Sequence, residues 1–126
     1  MEIGEICTRE AHEEGAELNI THPATGEVTD FYINVLGPDS RAWRKAIKTD
    51  FTRLLSNKGA GISEDDLLDS DINKLAAITS GWRGLQRDGK DVEFSLAECK
   101  KLYNDSPQVM TQVDVFVGNS RNFTKG

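Results

Sequence analysis

The stretch from Val28 to Leu36 constrains this chain most. Phe31, Ile33 and Val35 recur with a period of two, which directs them to one face of a strand, while Tyr32, Asn34 and Leu36 take the other. Such a strand is apolar on one side and partly so on both, so it should be the better buried member of a pair. Its partner lies just upstream, where Ala16, Leu18 and Ile20 alternate with Glu17, Asn19 and Thr21. Between the two, His22-Pro23-Ala24-Thr25-Gly26-Glu27 supplies a fixed proline φ and a glycine able to take a positive φ. That suits a hairpin loop longer than the two-residue kind.

After Gly37-Pro38 the apolar period becomes helical. Asp39 and Ser40 offer N-cap oxygens to a first helix, along which Trp43, Ile47, Phe51, Leu54 and Leu55 form a stripe expected to face a core. Arg41, Arg44, Lys45, Lys48 and Arg53 make the rest of that helix a basic face in an acidic protein. Gly59-Ala60-Gly61 is the expected stop. Ser63 and Asp66 then have the spacing of a capping box for a second helix, with Leu68, Ile72, Leu75, Ala76 and Thr79 as its buried stripe and an end near Ser80-Gly81. Ser95 and Glu98 open a third helix carrying Leu96, Cys99, Leu102 and Tyr103. Pro107 takes the first turn of a fourth, whose apolar face is Val109, Met110, Val113, Phe116 and Val117.

From Ile78 to Ser95 the chain passes through a Trp-anchored turn and an Asp88-Gly89 reversal. Trp82 and Phe94 either close the core from the two sides of that reversal or anchor in a partner's pocket. The expected architecture is α+β: an N-terminal β-hairpin followed by about four helices, with a short Asp-Gly hairpin or turn between the second and third. One domain should span residues 15–118. Residues 1–14, rich in glutamate, read as a mobile acidic arm, and 119–126 as a tail polar apart from Phe123.

Composition narrows the functional classes. The 126 residues suffice for one core, and 37% hydrophobic against 29% charged residues is polar yet within the range of chains that fold. With 21 acidic and 15 basic residues the net charge is −6, which repels a phosphate backbone, so no nucleic-acid partner is expected. No segment approaches the roughly 20 apolar residues of a membrane span. The opening residues lack the basic start and apolar run of an export signal. The expectation is a cytoplasmic protein without membrane contact, with Cys7 and Cys99 reduced. Cys7, His12, His22 and Cys99 match no zinc spacing, and the acids from Glu64 to Asp71 lack the order of a calcium loop. No nucleophile elbow or phosphate loop is present. No catalytic, cofactor or metal residues are therefore assigned, and the chain reads as a binding protein rather than an enzyme.

Ser80-Gly81-Trp82-Arg83-Gly84-Leu85, Asp88-Gly89, Val92-Glu93-Phe94-Ser95, Leu102-Tyr103, Pro107-Gln108-Val109, Gln112-Val113 and Asn122-Phe123, with Thr25-Gly26-Glu27 and Gly37-Pro38-Asp39-Ser40-Arg41 upstream, resemble the tail assembly chaperones of long-tailed bacteriophages. The likeness runs from about residue 22 to residue 123 and rests on turns and core positions. It implies a small, non-catalytic protein of the bacterial host cytoplasm that binds the tape-measure protein, keeps it soluble and helps recruit tail-tube subunits without a cofactor. Self-association along an extended client is a further expectation. The alternative is a structural minor tail protein retained in the virion. Trp82, Leu85 and Phe94, together with Arg41, Arg44, Lys45 and Lys48 on the basic helix, are the candidate protein-interaction residues.

Overall fold

The computed structural model describes residues 1–56 and 63–123. Two short helices, α1 (Ile3–Ile6) and α2 (Arg9–Glu14), lead into strands β1 (Ala16–Thr21) and β2 (Val28–Val35). These pair antiparallel, with Ala16 opposite Val35 and Leu18 opposite Ile33. Helices α3 (Arg41–Ser56) and α4 (Glu64–Ile78) follow, then β3 (Thr79–Arg83), the short strands β4 (Gln86–Arg87) and β5 (Lys90–Asp91), helices α5 (Leu96–Asp105) and α6 (Pro107–Val117), and a 3-10 turn, Ser120–Phe123. The fold is α+β. The Gly59-Ala60-Gly61 stop expected for the first helix lies outside the described residues, as does the end of the chain beyond Phe123.

The sheet has one strand more than the N-terminal hairpin. β3 pairs antiparallel with β2, giving the order β1-β2-β3, with Trp82 opposite Ile33 and Gly81 opposite Asn34. The second helix thus ends at Ile78 rather than near Ser80-Gly81. The backbone there turns extended at Thr79, where the Ile78 carbonyl accepts from Leu36 N–H at 2.8 Å. An edge on β2, otherwise left with unpaired backbone groups, takes up the Thr-Ser-Gly-Trp-Arg run. Gly84, just beyond, has a φ of +86° and presses on the Asp30 carbonyl where any Cβ would collide. Further on, Arg87 pairs with Lys90 across Asp88 and Gly89, both at positive φ.

One face of the sheet carries the core. Ile20, Phe31, Ile33 and Val35 pack under Ile72, Leu75, Ala76 and Ile78 of α4, Cys99 and Tyr103 of α5, and Val109, Val113 and Val117 of α6. The opposite face is polar: Arg83 makes two hydrogen bonds to the Glu17 carboxylate, at 2.9 and 3.1 Å, and its guanidinium lies 3.9 Å from the centre of the Tyr32 ring. Helices therefore cover a single side, as in a two-layer arrangement.

Within the expected arm at 1–14 and tail at 119–126, His12 and Phe123 are buried. His12 on α2 is buried, its Nδ1 accepts from Asp39 N–H at 2.9 Å, and its carbonyl accepts from Gly37 N–H at 2.9 Å. The ring lies so close to Gly37 that a side chain there would overlap it, which is why the strand-ending Gly-Pro needs its glycine. At the other end Phe123 is buried against His12 and Phe116, with ring centres 5.2 and 5.8 Å away.

Candidate functional site

Helices α3 and α4 form a hairpin reaching beyond the sheet. Ser63 and Asp66 cap α4 reciprocally, the Ser63 hydroxyl accepting from Asp66 N–H at 3.1 Å and the Asp66 carboxylate from Ser63 N–H at 3.0 Å. That backbone bond, then the Ser63 hydroxyl, holds the Asp66 carboxyl below the usual range. Arg53 joins the two helices: its Nη2 donates to Ser70 Oγ at 2.8 Å and to the Asp66 carbonyl at 3.3 Å, and pairs with Asp50 at 3.1 Å.

On one flank of the hairpin lies a groove of about 610 Å³. Its walls are Ala42, Ala46 and Thr49 of α3 and Asn73, Ala76 and Ala77 of α4, small side chains that let another backbone approach closely. Phe94 and Leu96 also line it, and its charged lining residues are Lys45, Asp50, Arg53 and Lys100. Phe94 is held from behind by Trp82, the rings meeting edge-on with centres 5.0 Å apart. Trp82 in turn contacts Phe31 edge-on at 6.2 Å and donates its indole N–H to the Val92 carbonyl at 2.9 Å.

The interaction residues expected from the sequence are dispersed by this geometry. Lys45 and Phe94 line the groove. Trp82 supports it from the core side. Leu85 lines a separate cleft of about 150 Å³ with Val92 and Leu102, and Arg41 lines a shallow one with Arg9, Glu10 and Glu13. Arg44 and Lys48 are exposed elsewhere on α3. The alanines were not singled out by their sequence; the available signal was Ala42 and Ala46 one turn apart on α3 and the Ala76-Ala77 pair on α4, a spacing too common to point to a site by itself.

Sequence periodicity also placed the whole α3 stripe in the core, and the structure corrects this. Ile47, Phe51 and Leu55 are 45%, 63% and 47% exposed, and Leu67 and Leu68 of α4 are exposed with them. No residue of α3 is buried, and only its first turn, through Ala42 and Trp43, is among the partly buried residues packed against the core.

Thr79, one of two threonines in the groove's lining, donates to the Leu75 carbonyl at 2.8 Å and shares a 2.7 Å hydrogen bond with the Tyr103 hydroxyl. Burial raises both the Tyr103 phenol and the Cys99 thiol beyond that network, so these groups stay protonated at neutral pH. Among the described residues no group of three or more His, Cys, Asp or Glu side chains is placed to hold a metal ion, and no helix is long and apolar enough to cross a membrane. Comparison with protein-family models, curated proteins and solved structures gives no significant match.

Proposed function

We propose that this protein is a non-catalytic tail assembly chaperone of a long-tailed bacteriophage, acting in the host cytoplasm. It holds apolar helical segments of the tape-measure protein until tail-tube subunits assemble around them. The observation that carries this reading is the alanine-walled groove between α3 and α4, which is open and mostly apolar, with Lys45, Asp50, Arg53 and Lys100 as the charged residues of its lining. A tape-measure helix exposes apolar surface that aggregates when left bare, and a groove between two helices covers such a ridge in the helix-in-groove manner. The motif likeness described from the sequence gives the client its identity.

Co-expression with the tape-measure protein tests the proposal. The client should stay soluble and co-purify with the wild-type chain, and Ala46→Trp, which fills the groove, should abolish co-purification while leaving the chaperone folded. Unchanged client solubility with no co-purification would overturn the reading. Mass spectrometry of finished particles should find the protein absent; its presence in fixed proportion to tail subunits would make it a minor tail protein instead.

A further inference from the structure

We propose that the alanine-walled groove takes an amphipathic helix whose ridge of large apolar side chains is flanked by carboxylates, and that Lys45 and Lys100 select those carboxylates. This deepens the chaperone reading and rests on its assignment of the groove as a helix-binding site. The shape of the occupant follows from the lining. Ala42, Ala46 and Thr49 on α3 and Asn73, Ala76 and Ala77 on α4 are small, and with Phe94 and Leu96 they border a space of about 610 Å³. Small side chains along a groove leave room that large ones on the occupant fill, because well-packed interfaces reach the density of a protein interior. A ridge of leucine or phenylalanine at helical spacing has that form.

The charge of the occupant follows from which lining groups are already engaged. Arg53 donates its Nη2 to Ser70 Oγ, to the Asp66 carbonyl and to the Asp50 carboxylate, so that cation and that anion answer each other within the hairpin. Lys45 and Lys100 are the charged lining residues that remain, and neither forms an ion pair among the described residues. Lys45 comes from α3 and Lys100 from α5, so an occupant meets ammonium groups from two helices. Lys100 is half-buried and follows Leu96 by one turn, which sets its charge beside an apolar side chain that is 52% exposed. A neutral occupant would cover these ammoniums without a partner, and a basic one would be repelled; an acidic flank pairs them. The local charge runs against that of the whole chain, which at −6 would otherwise draw basic peptides.

Two synthetic amphipathic helices that share one leucine ridge, flanked by glutamates in one and by lysines in the other, test the selection by titration against the full chain. The glutamate-flanked helix should bind about tenfold more tightly, as two partly exposed ion pairs allow. Lys45→Glu with Lys100→Glu should reverse the preference, and Lys45→Arg with Lys100→Arg should keep it, both with an unchanged circular dichroism spectrum. Ala46→Trp should abolish binding of either helix. Equal affinity for the two helices overturns the proposal, as does a preference for lysine flanks, a preference that survives Lys45→Glu with Lys100→Glu, binding indifferent to Ala46→Trp, or no binding of either helix. Co-expression with the tape-measure protein separates the two readings. A chain that selects the glutamate-flanked helix but fails to capture the tape-measure protein keeps the selection and overturns the chaperone reading. A tape-measure protein captured equally by the wild type and by the Lys45→Glu, Lys100→Glu chain overturns the selection alone.

Discussion

Trp82 holds its surroundings by two separable means, a hydrogen bond from the indole to Val92 and ring contacts to Phe31 and Phe94. Trp82→Phe keeps an aromatic ring and drops the donor, and should cost about 1 kcal/mol. Trp82→Ala removes the ring from between its two neighbours and should cost about 3 kcal/mol, the low end for an aromatic truncation because the indole is only half-buried. Urea unfolding of the two variants measures both. The sequence showed that Trp82 and Phe94 flank the reversal, yet it left open whether they face the core or a partner. The structure divides the work: Trp82 leans inward on Phe31, and Phe94 reaches the groove that Trp82 supports.

Among the elements, α4 is the one whose start was most legible, because a capping box is a local chemical device that needs no tertiary context. Its pH response follows from the same bonds. The folded Asp66 carboxyl is held below its ordinary value by the Ser63 backbone N–H and then the Ser63 hydroxyl, and Glu17 is lowered first by its hydrogen bond from Arg83. A depressed folded value means that each contribution is complete above the unfolded carboxylate pKa of about 4 and disappears as pH falls through the folded value. The unfolding midpoint should therefore drop below about pH 4, and Asp66→Asn should make that dependence shallower; thermal melts across the acid range measure it. Helix α3 was legible as a helix but not in its surroundings. A period of 3.6 reports that one side is apolar, and it is the same whether that side meets the core or stays exposed.

For the whole molecule, the α+β order could be read from where the two-residue period gives way to the helical one. β3 was hidden because Thr-Ser-Gly-Trp-Arg is short, contains a glycine and lacks alternation; only the open edge of β2 makes it a strand. The place of α2 was hidden for a related reason, since Ala11, His12 and Glu13 make its contacts and no periodic pattern announces three adjacent residues. The sheet neighbours β2 and β3 are separated in the chain by the entire α3–α4 hairpin, and this has a kinetic consequence. The β1–β2 ladder can zip from its own loop, whereas β3 can join only after a long loop has closed, at an entropic cost that grows with loop length. A hairpin formed early brings Val35 and Thr79 together and shortens that search. Arg53→Ala, which cuts the tie between the two helices, should therefore slow refolding as well as speed unfolding in stopped-flow experiments. A refolding rate equal to that of the wild type would mean that the sheet closes first and the hairpin assembles on it afterwards.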